Sequence, residues 1–383
     1  MSIGIDKIAF YVPQYYIDMA DLAAARNVDP NKYLIGIGQK KMAVLPATQD
    51  IVTFGANAAA KILTAEDREK IDLVIVGTES SHDFSKSAAV VIHDLLKIQP
   101  FARCYEVKQA CYGGTAALQQ AKDYLQTHPG RKALVIASDI AKYGLDTAGE
   151  PTQGAGAVAM LVAEDPQILA LNDDNRFYSK DIYDFWRPAG EKFPLVDGKL
   201  SNETYKQVFQ ILWKSYRETS QTPPSEITAL LFHIPYTKMG KKALETIIDT
   251  VDEATGDRWR KNYQASIQYN QEVGNLYTGS LYLSLLSFLE KSATLKGGEK
   301  LVLFSYGSGA EGEIFSGTIQ AGFRDALDEA FHQRMLDSRQ ALSVADYEKM
   351  FTEELAAGRH YHDPADYSIA YEQDGIRHYQ LQQ

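Results

Sequence analysis

The sequence predicts an α/β protein made of two similar halves. Three observations carry that reading. Short apolar runs alternate with amphipathic stretches, so strands and helices follow one another along the chain. The runs are nearly continuous in Val, Ile, Leu and Ala, as in strands buried on both faces of a largely parallel sheet. A helix–strand pattern also recurs: CYGGTAALQQAKDYL followed by KALVIAS resembles NLYTGSLYLSLLSFL followed by KLVLFSY. Asn275 stands 164 residues after Cys111, and Ser305 stands 167 after Ser138. An offset that drifts so little points to an internal duplication.

Taken in order, 3–12, 71–78, 102–109, 132–138 and 157–163 read as strands, and 48–63, 86–98 and 111–127 as helices. The third helix has a GG pair near its start and ends at His128-Pro129-Gly130, a stop signal. In the second half, 227–235, 300–306 and 313–319 read as strands, and 241–251 and 275–291 as helices. The chain therefore divides into a first half (1–165), a segment between the halves (166–226) and a second half (227–383) whose tail beyond 322 is charged and helical. The Tyr- and His-rich end takes no assigned element. Two packed halves would gather ligands between them, at the C-terminal ends of the strands.

A chain of 383 residues, 45% hydrophobic and 23% charged, has the balance of a folded globular protein. Its 39 Lys+Arg against 50 Asp+Glu give a formal charge of −11, which argues against a general nucleic-acid or anionic-membrane binder. Two cysteines, Cys104 and Cys111, make no disulfide framework and no zinc spacing, so reduced thiols and a cytoplasmic location are expected. The first twenty residues lack a signal peptide's basic start and apolar run, and no apolar stretch approaches the ~20 residues of a membrane span.

Cys111 heads the candidate catalytic groups. It follows the YEVKQ strand and opens a helix, whose dipole would favour the thiolate, and Gly113 and Gly114 would leave room for substrate. Cys104, inside the strand, reads as a core residue. Glu79 ends the IDLVIVGTES run, where burial would raise a carboxyl into the range of a general base; the plainer reading is a loop acid or helix cap. His233 holds the corresponding place in the second half, as either a satisfied core residue or a catalytic donor, and Asn275 corresponds to Cys111, as either a helix cap or a site residue. His82 and His93 read as surface or helix-face residues. The SYGSGAEGEIFSG turn could offer the Ser308 N–H to an oxyanion or be a simple hairpin. Lys238, Lys241 and Lys242 form a basic cluster that suits a phosphorylated substrate or a solvated helix start. Convergence of Glu79, Cys111, His233 and Asn275 on one cleft is the strongest sign of an enzyme.

Several blocks, in order, resemble the 3-hydroxy-3-methylglutaryl-CoA (HMG-CoA) synthase family of the thiolase-fold superfamily, in its bacterial form: VDPNKYLIGIGQKKM, VGTES, EVKQACYGGTAAL, VIASDIAKYG, YDFWRP, FHIPYTKMGKKAL, GNLYTGSLYL and SYGSGAEGEIFS. The resemblance covers about residues 1–320. It implies a thiolase-like fold with duplicated halves in α/β/α/β/α layers, a homodimer, and no metal or redox cofactor. It also implies a reaction of the mevalonate pathway: acetyl-CoA acylates a cysteine, the acetyl group condenses with acetoacetyl-CoA, and water releases HMG-CoA. By matching motif, Cys111 carries the acyl group, Glu79 is the general acid/base and His233 assists acetoacetyl-CoA. Asn275 and Ser308 match substrate-positioning and oxyanion elements, and Tyr143, Thr152, Asp184, Phe185 and Ser201 match pocket positions. Asp29, Lys238 and Lys242 match CoA contacts. Ala110, which precedes the nucleophile, is a residue that would tune the rate.

The inventory Cys, Glu, His, Asn fits such chemistry on its own terms. A thioester on Cys111 acidifies its methyl protons, and a desolvated carboxylate can remove one. A ketoacyl synthase III-like enzyme would share Cys, His and Asn but lack Glu79. A thiolase would need a second catalytic Cys near the C-terminus, and a papain-like hydrolase a C-G-[SA]-C-[WY] block. A catalytically dead binding protein would have no use for all three of Cys111, Glu79 and His233.

Overall fold

The apolar runs pair into one ten-stranded sheet in the computed structural model, which describes residues 2–382. In chain order its strands are β1 (Ile3–Tyr11), β2 (Ile71–Gly77), β3 (Arg103–Val107), β4 (Lys132–Ala141), β5 (Gly154–Glu164), β6 (Leu169–Leu171), β7 (Arg176–Ser179), β8 (Ile227–Phe232), β9 (Lys300–Gly307) and β10 (Glu311–Ile319). Their order across the sheet is β8-β9-β10-β6-β1-β5-β4-β2-β3, and β7 pairs with β10.

The duplication is written in that order. β2-β4-β5-β1 in the first half corresponds to β8-β9-β10 of the second half together with β6, which comes from the segment between the halves. In both runs the first pair is parallel and the next two are antiparallel. The halves meet where β1 pairs with β6, Gly4 opposite Ala170 and Ile5 opposite Leu169. A Cβ at Gly4 would lie 1.9 Å from the Leu169 carbonyl oxygen, so only glycine allows this seam.

The sheet is mixed, which corrects the largely parallel sheet expected from the apolar runs. Only β2–β3, β2–β4 and β8–β9 are parallel. β9 and β10 are joined by a tight turn at 308–310, and so short a connection can only join antiparallel strands.

Helices α1 (Ile51–Ala60), α2 (Ala88–Leu95), α3 (Gly113–Gln126), α4 (Gly198–Thr219), α5 (Lys238–Leu244), α6 (Glu253–Ser266) and α7 (Ser280–Lys291) cover the sheet. Strand alternation decides which face meets which helix. In β4, Ala133, Val135 and Ala137 pack inward with α3 and α7, whereas Leu134 and Ile136 pack outward with α1 and α2. In β9, Leu301 and Leu303 face the same central layer, whereas Val302 and Phe304 face α4, α5 and α6. The result is the expected α/β/α/β/α layering. α7 is buried on every side from Leu281 to Leu289, as a central-layer helix must be.

The segment between the halves supplies β6, β7 and the 22-residue α4, whose stripe of Tyr205, Val208, Phe209, Leu212 and Tyr216 packs on β8 and β9. The tail forms helices Glu329–Asp337 and Val344–Thr352, then a hairpin of Tyr367–Gln373 with Ile376–Leu381. Arg377 and Tyr379 reach the Asp50 carboxylate at 3.0 and 2.8 Å and so tie that hairpin to the start of α1. Among the described residues no helix is long and apolar enough to cross a membrane.

Candidate active site

Cys111 sits between β3 and α3, in a turn that begins with Ala110 at φ +43°. The helix proper starts at Gly113, so Cys111 precedes it and does not open it. The glycines after it serve packing. A Cβ on Gly77 would stand 2.6 Å from the Gly113 carbonyl, and one on Gly114 would stand 2.7 Å from the Thr278 carbonyl. These glycines let α3 press against the end of β2 and against the second half, which corrects the expectation that they make room for substrate.

Glu79 lies two residues beyond β2, and its carboxylate accepts a hydrogen bond from the Cys111 thiol at 3.2 Å. Its backbone is held from two sides. The Glu79 N–H donates to Asp139 Oδ1 at 2.9 Å, and the Arg187 guanidinium donates to the Glu79 carbonyl. Asp139, fully buried near the end of β4, also accepts from the hydroxyls of Thr78 (3.0 Å) and Ser80 (2.8 Å) and from the hydroxyl and N–H of Thr278. It therefore bonds the Glu79 loop to the second half.

Burial, and then the nearby Asp139 carboxylate, push Glu79 up to about 8. Burial also raises Asp139 to about 6, against the hydrogen bonds that favour its charge. The Cys111 thiol is pushed well up, first by burial and then by Glu79. That corrects the expected dipole-activated thiolate: next to a carboxylate in a dry site the thiol keeps its proton and gives Glu79 a hydrogen bond. Cys104 sits half-buried in β3, and burial raises it to about 11.

His233 follows β8. Its N–H donates to the Phe304 carbonyl at 2.8 Å, its carbonyl accepts from the Tyr205 hydroxyl, and its buried ring Nδ1 has no partner in the protein. Burial lowers it to about 3, so the ring is neutral. Asn275 does not start α7; the polypeptide first makes a short turn at Tyr277–Gly279, and the helix begins at Ser280. Asn275 Oδ1 accepts from the Tyr277 N–H at 2.9 Å and the Ser280 hydroxyl at 3.1 Å, which leaves its buried Nδ2 without a partner.

Cys111, His233 and Asn275 line one cavity of about 540 Å³. Of the other sequence-predicted residues, Tyr143, Thr152, Phe185, Ser201 and Ser308 also line it. Asp184 stands behind its wall, fully buried, and accepts from the Gly309 N–H at 2.9 Å and the Tyr306 hydroxyl at 3.0 Å. The Ser308 loop is pressed on the Cys111 turn, for a Cβ on Gly307 would come within 2.4 Å of the Gln109 carbonyl oxygen.

Glu79 is not part of the lining and meets the cavity through its bond to Cys111, and besides Asp184 three further residues lie outside it. Lys238 Nζ donates to the Ile35 carbonyl at 2.8 Å, and Lys242 Nζ to the Tyr236 hydroxyl at 3.0 Å; Ile37 and Tyr236 belong to the wall, which places both lysines at its rim. Asp29 sits in an exposed turn and accepts from the Asn31 N–H at 2.9 Å. His82 borders a separate cavity of about 290 Å³, and His93 bonds the Gln99 carbonyl at 3.0 Å. Among the described residues no group of three or more His, Cys, Asp and Glu is placed to hold a metal ion.

Sequence reasoning missed Asp139 and Arg187. For Asp139 a signal existed: a carboxylate within the apolar run KALVIASDIA is costly to bury unless it is bonded. Arg187 carries no local signal.

Family models match both parts of the chain: hydroxymethylglutaryl-coenzyme A synthase N terminal over residues 1–167, and its C terminal counterpart over residues 175–251 and 246–378. The hydroxymethylglutaryl-CoA synthase of Enterococcus faecalis is 57% identical over 381 residues, covering 99% of this chain and 100% of that one. A crystal structure of HMG-CoA synthase complexed with CoA superposes with a TM-score of 0.96 at 44% identity, covering 100% of both chains. MvaS in complex with 3-hydroxy-3-methylglutaryl coenzyme A gives 0.90 at 35% identity, covering 99% of both.

Proposed function

Because the chain belongs to the hydroxymethylglutaryl-CoA synthase family, we propose that Cys111, Glu79 and His233 carry the family's condensation in the 540 Å³ cavity. The enzyme is an acyltransferase of the mevalonate pathway. Acetyl-CoA, acetoacetyl-CoA and water give HMG-CoA and CoA. The observation that carries the assignment of roles is the 3.2 Å hydrogen bond from the Cys111 thiol to Glu79.

In the first step the Cys111 sulfur attacks the acetyl carbonyl, its proton passes to Glu79, and the CoA sulfur takes that proton as it leaves. In the second, the Glu79 carboxylate removes a methyl proton from acetyl-Cys111, and the resulting carbon adds to the ketone of acetoacetyl-CoA. The alkoxide formed recovers the proton that Glu79 holds. In the third, water cleaves the Cys111 thioester: its oxygen stays on the acyl carbon and a proton returns to sulfur.

A neutral His233 acts by a ring N–H that polarises the ketone, and the unpartnered amide of Asn275 is a second donor. The Ser308 N–H serves the enolate oxygen, and Asp184 sets its loop by holding the Gly309 N–H. Tyr143, Thr152, Phe185 and Ser201 shape the acyl pocket, while Asp29, Lys238 and Lys242 face the phosphates of CoA. The same reading divides the chain into 1–165, 166–226 and 227–383, places it in the cytoplasm, and needs no cofactor, since no electrons change hands. It also makes the protein a homodimer. The sheet ends at β3 with Phe84 and Phe101 almost fully exposed beside it, which supports a second copy pairing there.

Mass spectrometry of the intact protein tests the reading. Acetyl-CoA alone should place one acetyl group on Cys111, and acetoacetyl-CoA should then discharge it as HMG-CoA. His233→Ala should acetylate and then stall. Acetylation elsewhere, or none, contradicts the reading.

A further inference from the structure

The cavity has a wall that comes from neither half-sheet. Phe185–Trp186 pairs with Leu195–Val196 in a short ribbon, and the loop between them is largely exposed. The root of the ribbon is fixed: Asp184 holds the Gly309 N–H and the Tyr306 hydroxyl, and the Asp197 N–H donates to the Asp184 carbonyl at 3.0 Å. Phe185 packs edge-on to Tyr143 and Tyr277, with ring centroids 6.2 and 6.0 Å apart. Just beyond the paired residues, Arg187 crosses to the first half and donates to the Glu79 carbonyl.

The groups that act on the Glu79 carboxyl are few. Cys111 is in front of it at 3.2 Å, Asp139 is behind it, and the Tyr143 and Tyr277 hydroxyls share the site. Arg187 is the cation among them. We propose that Arg187 is a positioning residue for the general base, pinning the Glu79 backbone from the ribbon and favouring its carboxylate over its acid by charge. The inference rests on Glu79 being the base, as argued above. The cation adds to what keeps a carboxyl pressed by burial and by Asp139 partly ionised near neutral pH: the Cys111 hydrogen bond, and after it Arg187, pull in the opposite direction. Arg187 is itself exposed, so solvent screens its charge and its influence is modest.

The test is the pH profile of kcat/KM for condensation in Arg187→Gln, Arg187→Lys, Lys192→Ala and Glu79→Gln. Loss of the cation should move the acid limb of the profile to higher pH. Arg187→Gln should therefore run ~3- to 10-fold slower near neutral pH and converge on the parent enzyme at alkaline pH, where both hold an ionised base. Arg187→Lys, which keeps the charge, should restore most of the limb, and it keeps the test alive if the Gln variant folds poorly. Lys192→Ala removes an exposed charge from the same loop, one that pairs with Glu354 at 3.6 Å, and should leave the limb in place. A uniform loss at every pH in Arg187→Gln, with the limb unmoved, would make Arg187 a structural tether only and overturn the proposal. Glu79→Gln separates the two failures. If it keeps the parent's rate and limb, the base lies elsewhere and both readings fall; if it loses them while the Arg187→Gln limb stays put, only the proposal for Arg187 falls.

Discussion

The Cys111 thiol gives its hydrogen bond to Glu79 Oε1 at 3.2 Å, so the proposed nucleophile and the proposed base are one unit before any substrate arrives. Burial and then Glu79 raise the cost of ionising Cys111, whereas Glu79 is raised by burial and Asp139 and is helped toward its charged form by the thiol's hydrogen bond. In the proposed acylation step the thiol's own proton passes through Glu79 and leaves with CoA, which returns Glu79 to the carboxylate that the methyl group needs.

This arrangement costs stability. The Glu79 carboxyl, ordinarily at 4.5, is raised to about 8 in the folded protein, so above pH ~4.5 the unfolded chain releases a proton that the folded chain retains. Stability from this group falls as pH rises from about 4.5 to about 8 and is level beyond. Glu79→Gln should thus melt higher than the parent, by an amount that grows across that window and reaches a few kcal/mol at most. Melting curves at acid and alkaline pH check it; an unchanged or lower melting temperature at alkaline pH contradicts the burial argument.

The two thiols should separate cleanly. Cys111→Ser should abolish acetyl transfer with the fold intact, because a hydroxyl here is a far weaker nucleophile and Glu79 would have to remove a less acidic proton. Cys104→Ser should leave acylation nearly unchanged, since Cys104 sits in β3 with only a weak 3.8 Å contact to the Ala102 carbonyl. Acetylation assays on both variants read this directly.

Lys238→Ala and Lys242→Ala should raise KM for the CoA substrates about 5- to 10-fold each and change kcat little, because remote phosphates are held alike in ground and transition states. A pantetheine thioester without those phosphates should show no such difference between parent and variant. An equal defect with both substrates would make the lysines a support for the Ile35 and Tyr236 segments they already touch.

Much of this was legible in the sequence, and the reasons for the rest are physical. β2, β4 and β5 are long, nearly continuous apolar runs, and such runs mark buried strands without knowledge of their neighbours. Strand direction could not be read from them, because it depends on the length and path of connections such as the tight turn before β10. The repeat placed Cys111 and Asn275 at matching points. It could not show that the chain turns at Tyr277, at φ +42°, before α7 begins. α4 has an i, i+3, i+4 stripe that any helical reading could use, yet it lies in the segment between the duplicated halves, where no repeat helped. Glu79 and His233 were visible as strand-end polar groups, but the donors that hold Glu79 come from β4, from Thr278 and from Arg187, which only the fold brings together. The dipole argument for the Cys111 thiolate failed because a neighbouring carboxylate and burial outweigh a helix that starts two residues later.

The most direct test of the central claim is a single-turnover experiment with Glu79→Gln. Gln keeps the shape of the pocket but accepts no proton, so the two halves of the reaction should come apart. Mixed with acetyl-CoA, the variant should still become acetylated on Cys111, more slowly than the parent because the thiol has lost its acceptor. On addition of acetoacetyl-CoA, the acetyl group should stay on the enzyme, and HMG-CoA should form at least ~100-fold more slowly. Condensation at the parent's rate would contradict the account, since the base would then be some other group. So would a folded variant that never acetylates, since Glu79 would then serve the thiol alone.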